Sequence, residues 1–288
     1  MIVAQGYRQT GTTYQNNVKE FLHYLESHGI VSVKRIQAVD MVAYYEHLTN
    51  RPSLRGVGLL KSSTISGKMF AVDLFFDYLV ETRHVTSKIV LPRHKRSDYT
   101  QRNVVTVEEV KKIYSACESI RDRAIISLAY GCGLRRTEIE QLDVNDIFLI
   151  QSTLIVRSGK NSKRREIPLA NSIVTDLKNY LYEERHLHLS DSHELIEAFL
   201  INDKGKRMRG EHINTRLKEI IQRVSDPVLS SKEITLHCLR HSIATHLLEA
   251  GASFEFVREY LGHSEIDTVH VYARRRRIRE QQQKILNR

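Results

Sequence analysis

Apolar residues recur at three- and four-residue intervals along the first part of the chain, the spacing that gathers them on one face of an α-helix. Tyr14, Val18, Phe21, Leu22 and Leu25 form one such stripe, opened by the hydroxyls of Thr12 and Thr13 and closed by Gly29. Asp40 is placed to start a second helix, carrying Met41, Tyr44, Tyr45 and Leu48 and stopping before Pro52. Residues 53–61, with Gly56 and Gly58, read as a loop. Ser62 to Thr64 then open a longer helix with Ile65, Met69, Val72, Phe76 and Leu79 inward. These stripes predict an all-helical domain over residues 1–87.

The period is lost over 88–103, where Pro92 and the run His94-Lys95-Arg96 have linker composition, suited either to solvent or to phosphates. From Val104 the pattern is mixed. Helical spacing covers 108–115 and 121–130, with Ile120, Ala124, Leu128 and Cys132 in step. Residues 153–157 and 164–169 read as two short strands, and the polar turn from Ser158 to Lys163 makes them a β-hairpin. Helices return over 171–186, 211–224, 237–250 and 254–261, the last two closed by Gly251 and Gly262. The predicted fold class is mainly α with a small β-sheet: an all-helical N-terminal domain, then an α+β domain over 104–288.

Composition narrows the function classes. A hydrophobic share of 41% with 27% charged residues can build packed cores and argues against disorder. No run approaches the roughly 18 apolar residues of a membrane helix, and the first residues lack the pattern of a secretion signal. The expectation is a cytoplasmic protein with no membrane partner. Cys117, Cys132 and Cys238 stand far apart in no metal-ligand spacing, which reads as free thiols without disulfides, metal or other cofactor. Lys and Arg outnumber Asp and Glu by 44 to 34. That surplus favours a polyanionic partner, because each cation set on a phosphate releases condensed counterions.

Candidate chemistry lies in the second segment. Its motifs are Gly131-Cys132-Gly133-Leu134-Arg135-Arg136-Thr137-Glu138, then Gly159-Lys160 in the hairpin turn, His237-Cys238-Leu239-Arg240-His241, Leu261-Gly262-His263, and finally Tyr272. Breaking a phosphodiester without metal needs a nucleophile, neutralisation of the developing phosphorane charge, and a proton for the leaving oxygen. An arginine fork can hold two phosphate oxygens, which makes Arg135 and Arg240 candidates for the second task. Lys160 on a turn could reach a groove edge or protonate the leaving oxygen, with Lys163 a near neighbour. Taken singly, each residue has an ordinary reading: a surface arginine, a solvated turn lysine, a structural histidine at a helix boundary, one of 13 tyrosines. His237 and His241, at i and i+4, also have the spacing of a metal pair. No glutamate follows His237, however, and Arg240 would set a positive charge against the cation.

In their order and spacing these motifs resemble those of the tyrosine recombinase (integrase) family, closest to its Xer-like branch, and the resemblance spans nearly the whole chain. It implies a SAM-like core-binding domain over 1–87, a linker over 88–103, and a catalytic domain of the DNA breaking-rejoining type over 104–288. It implies Tyr272 as nucleophile, Arg135 and Arg240 on the scissile phosphate, and Lys160, directly after Gly159, as general acid. His237 and His263 would donate to phosphate oxygens or position the nucleophile. Glu138, three residues after Arg135, would orient a helix or an arginine, His241 would pack or cap within the site, and Tyr260, in an apolar stripe with Phe256 and Val257, would pack.

The same resemblance implies a site-specific recombinase that forms a 3′-phosphotyrosyl intermediate and exchanges strands through a Holliday junction, without metal or ATP. Its partner would be double-stranded DNA with short inverted repeats, bound by a homo-tetramer, with a helper protein or second recombinase as a further partner. With few residues ahead of the first helix, no separate arm-binding domain is expected. Other readings stand beside this one: a catalytically silent DNA-binding accessory protein, an enzyme resembling type IB topoisomerases, and, weakest, a plain nuclease.

The tail holds Arg274 to Arg277, Arg279, Lys284 and Arg288 against one acid, Glu280, with Ile278, Ile285 and Leu286 as its sparse apolar face. The resemblance implies a C-terminal helix docked on a neighbouring subunit, whereas the composition equally suits phosphates or solvent. Deleting residues 278–288 separates these outcomes in a cooperative DNA-binding measurement. Docking in trans requires cooperativity to fall; unchanged cooperativity excludes it.

Overall fold

The computed structural model describes residues 11–53, 58–92, 94, 104–157, 164–189 and 196–262. The chain divides into two compact units, residues 1–101 and 102–288. Among the described residues no helix is long and apolar enough to cross a membrane.

The first unit is built on α1 (Gly11–Ser27), α2 (Ala38–Asn50) and α3 (Ser62–Glu81). The predicted stripes form its core: Phe21, Met41, Tyr44, Leu48, Val72 and Phe76 are all fully buried. Phe21 sits against Tyr44 and Phe76 with ring centroids 4.9 and 6.3 Å apart. Asp40 does not start α2. The helix begins at Ala38, and the Asp40 carboxylate reaches back to accept from the Gln37 backbone N–H at 2.7 Å, so it caps from inside the first turn. The described part of the expected linker packs on this unit. Ile89 and Leu91 lie on its core, Lys88 pairs with Asp73 and Asp77, and His94 bridges Tyr45 and Ser62.

The second unit opens with α4 (Val107–Ser115), started by a reciprocal capping box between Thr106 and Glu109. Next comes α5 (Ile120–Ile126), which continues into a π turn over Ser127–Gly131 and leads to α6 (Arg136–Gln141). The small sheet has β1 (Ile147–Phe148), β2 (Thr153–Val156) and β3 (Arg165–Pro168), antiparallel in the order β1-β2-β3. Leu154 stands opposite Ile167 and Val156 opposite Arg165. The first of these strands was not expected, because two residues are too short to show an alternation.

Helical chain returns at α7 (Asn171–Asn179), extended by a π turn over Tyr180–Glu184, then α8 (Gly210–Arg223) and a short α9 (Pro227–Ser231). The unit's described part closes with α10 (Leu236–Glu249) and α11 (Phe254–Leu261). Gly251 and Gly262 adopt φ of +93° and +62°, the left-handed conformation in which glycine ends helices cheaply. The mainly helical class with a small sheet is therefore as expected. The turn 158–163 and everything after Gly262 lie outside the described residues.

Because the first unit's core is small, its aromatic cluster carries much of its stability. Phe76→Ala should lower the unfolding free energy by about 3–5 kcal/mol, measured by urea denaturation followed by circular dichroism.

Candidate active site

The loop carrying Arg135 owes its shape to the π turn. Cys132 N–H donates to Ser127 O at 2.8 Å, five residues back, and Leu134 N–H to Leu128 O at 3.1 Å. A single extra residue per turn of this kind often marks a functional position. Here it swings Gly131 to Leu134 across the end of α11. Tyr260 OH donates to Gly131 O at 2.6 Å. Gly133 has φ +59°, and a Cβ there would stand 2.5 Å from Leu261 Cδ2, so both its backbone and its surroundings require glycine. Leu134 is fully buried, and this anchors Arg135 at the residue that precedes α6.

Glu138, one turn into α6, is the centre of the site, with a side chain only 3% exposed. Its Oε1 accepts from Arg135 Nη1 at 2.7 Å and Arg165 Nη1 at 3.0 Å. Its Oε2 accepts from the Arg135 backbone N–H and from Arg165 Nη2, both at 2.8 Å. Arg240 Nη1 lies 3.8 Å from the same oxygen. Burial by itself would push this carboxyl up. The hydrogen bonds and charge of Arg165, the Arg135 backbone N–H and the charge of Arg240 outweigh it and bring the pKa down to about 2.

The same arginines meet the C-terminal end of α11. Arg165 Nε donates to Tyr260 O at 3.1 Å, Arg240 Nη2 to Leu261 O, and Arg135 Nη2 to Gly262 O at 2.8 Å. Arg240 Nη1 donates to Gly133 O. Three successive carbonyls at the negative end of a helix dipole thus each receive a guanidinium. Burial, with the neighbouring charges of Arg135 and Arg165, brings the Arg240 pKa down to about 9 against the pull of Glu138, so the group remains cationic at neutral pH. Three guanidinium groups against one carboxylate leave a local surplus of two positive charges. A phosphodiester under attack becomes a phosphorane with two negative charges, which this surplus complements.

His237 lies in the first turn of α10 and is exposed; its ring stands 4.9 Å from that of buried His241, edge to face. Ser242 on the same helix accepts from Val105 N–H at 2.8 Å, tying α10 to the start of the unit. Tyr260 is mostly buried, stacks on Phe256, donates its hydroxyl to Gly131, and has a pKa raised mainly by burial. It is a packing and anchoring residue, as expected, and a poor source of phenolate. Of the sequence-predicted site residues, the structure brings Arg135 and Arg240 into one network and sets His237 one turn before Arg240 on α10. Lys160, His263 and Tyr272 lie outside the described residues.

Sequence reasoning passed over Arg165, although a signal existed. Side chains two apart on a strand share a face, and Ile167 and Leu169 point inward, so Arg165 had to as well. The role of Glu138 as the anchor of an arginine was visible from its position three residues after Arg135.

Against this geometry, the comparisons are decisive. Residues 103–278 match the model of the phage integrase family, and residues 3–83 match that of the phage integrase N-terminal SAM-like domain. The chain belongs to the phage integrase family. Tyrosine recombinase XerC of Vibrio vulnificus is 30% identical over 271 residues, covering 91% of this chain and 80% of that protein. Tyrosine recombinase XerC of Roseiflexus sp. (strain RS-1) is 29% identical over 270 residues, covering 91% and 82%. The Tn1549 transposon integrase, solved with a circular intermediate DNA, superposes with a TM-score of 0.73 at 16% identity, over 94% of this chain and 91% of that one. A lambda integrase dimer bound to a core site gives 0.67 at 17% identity, over 92% and 88%. The integrase-family chain is a tyrosine recombinase, an enzyme of site-specific DNA recombination, and its partner is DNA.

The depressed Glu138 pKa fixes a pH dependence. A carboxyl whose pKa is lower folded than unfolded contributes stability above its ordinary value of 4.5 and loses it as pH falls towards 2. The difference in unfolding free energy between wild type and Glu138→Gln should therefore be flat above about pH 5 and shrink by about 3 kcal/mol between there and pH 2. Urea titrations across that range measure it.

Proposed function

We propose that Tyr272 is the nucleophile of this recombinase and that Arg135 and Arg240 bind the scissile phosphate. The phenol oxygen attacks phosphorus, the bond to the 5′-oxygen breaks, and a 3′-phosphotyrosyl link and a free 5′-hydroxyl result. The phenol gives up its proton to solvent water, and Lys160 supplies one to the departing 5′-oxygen. His237 and His263 donate to the phosphate oxygens or position the nucleophile. Because the ester link conserves the bond energy, attack by a partner strand's 5′-hydroxyl reverses the step without ATP. Neutralisation comes from guanidinium groups, so the reading needs no metal.

The observation that carries this reading is the convergence of Arg135 and Arg240, more than a hundred residues apart in sequence, on Glu138 and on adjacent carbonyls of one helix end. Two arginines that were merely surface cations would not share one buried anchor. In the wider reaction, a homo-tetramer holds two sites with short inverted repeats and exchanges strands in two steps through a Holliday junction. The helical domain over 1–87 and the catalytic domain over 104–288, joined through 88–103, both bind the duplex, in the cytoplasm. Phosphate contacts supply most of the affinity, and a few groove contacts with DNA deformability supply site choice.

Covalent trapping tests the chemistry. Nicked duplexes tiling the DNA around the protein's own gene are incubated with it in EDTA, and adducted ends are sequenced. Wild type should form an adduct at a defined sequence, Tyr272→Phe should form none, and Arg135→Ala should slow adduct formation by about 10²–10³-fold. An adduct that persists in Tyr272→Phe means another nucleophile. Site-specific binding without any wild-type adduct supports the accessory-protein reading.

A further inference from the structure

The geometry around Glu138 assigns a task to a residue that the reaction scheme above does not use. A carboxylate offers about four lone-pair sites. At Glu138 two are filled by Arg135, through its backbone N–H and Nη1, and two by Arg165, through both ends of its fork. Arg240 is close enough to be attracted, at 3.8 Å, yet its Nη1 and Nη2 are directed to Gly133 O and Leu261 O instead. Arg165 thus saturates the carboxylate. Without it, two strong acceptor sites would open in a buried place and draw in the two nearest cations, Arg135 and Arg240, away from the direction in which a phosphate would meet them.

Arg165 also joins parts of the fold that must agree in position. It lies on β3, the strand that leaves the turn bearing Lys160, and its Nε holds Tyr260 O near the end of α11. Room for it is built in: a Cβ at Gly262 would stand 2.8 Å from Arg165 Nη1. Its whole planar fork is used, in a geometry a lysine ammonium cannot reproduce.

We propose that Arg165 is a positioning residue of the strand-cleavage site, setting through Glu138 and the α11 end where the Arg135 and Arg240 forks stand; this rests on the reading of those two arginines as the phosphate-binding pair. Arg165 itself touches no reacting atom.

The test uses the full-length protein and the nicked duplex identified by sequencing adducted ends, made with either its natural scissile phosphodiester or a neutral methylphosphonate there. Removing the phosphate's charge lessens the need for aligned guanidinium groups, so a positioning defect should shrink, whereas a general loss of structure should not. Arg165→Met is expected to slow adduct formation at saturating protein by about 10²-fold on the phosphodiester, the cost of a misplaced catalytic group. Half-saturation of DNA binding should move less than about 3-fold, the split that marks a defect confined to the reacting state. On the methylphosphonate the gap from wild type should fall below about 10-fold, and Arg165→Lys should recover part of the phosphodiester rate. If Arg165→Met does not fold by circular dichroism, Arg165→Lys is read against wild type on the same two substrates. A rate equal to wild type, or equal losses on both substrates, overturns the positioning role while leaving the phosphate-binding pair intact. A wild-type protein that forms no adduct overturns both.

Discussion

A buried carboxylate survives only with its charge matched, and Glu138 is matched several times over. Two arginines fill its lone pairs and a third stands just beyond hydrogen-bonding range, so one anion organises three cations drawn from the N-cap of α6, from β3 and from α10. Like charges this close would otherwise repel, and the desolvation of each would be uncompensated. The arrangement is tolerable because the cations also spend their N–H groups on backbone carbonyls. A net surplus of positive charge then sits ready for an anionic transition state, and its cost is met by folding before DNA arrives.

The second fixed point is the end of α11. The last carbonyls of a helix lack intrahelical partners, and most proteins leave them to water or a glycine turn. Here Tyr260, Leu261 and Gly262 give theirs to Arg165, Arg240 and Arg135. A segment of chain directly before His263 is thereby bonded to the groups that would hold the phosphate. Tyr260 reinforces the tie from its other end by donating to Gly131 O, in the loop that carries Arg135.

The same device recurs in the second unit at a distance from the site. Asp122 is fully buried and receives Arg216 and Arg223 from α8; Asp143 receives Arg157 and Arg207; and Arg185 donates to the carbonyls of Ile196, Ala198 and Phe199. The net charge of +10 is therefore not a simple count of cations offered to DNA. Many of the arginines are structural, held by buried acids or backbone. The first unit depends instead on its apolar stripes, with aromatic contacts among Phe21, Tyr44 and Phe76.

Period and motif reached far. Because helical faces repeat every three to four residues and strands every two, the stripes of α1, α2 and α3, the pairing of β2 with β3, and the helices α7, α8, α10 and α11 were legible in the order of residues, whereas the short α6 and α9 were not. So was the arginine pair, since Arg135 and Arg240 stand in motifs of recognisable order, and so was the orienting position of Glu138. Local pattern cannot carry what depends on partners distant in sequence. The π turn over Ser127–Gly131 seats the Gly131–Leu134 loop against Tyr260 and Leu261, partners far along the chain, and α2 starts at Ala38 because the Asp40 carboxylate reached backwards. Arg165 was legible as inward-facing but not as paired. Its partner Glu138 belongs to a different element, and only the folded chain brings one carboxylate within reach of cations from three places at once.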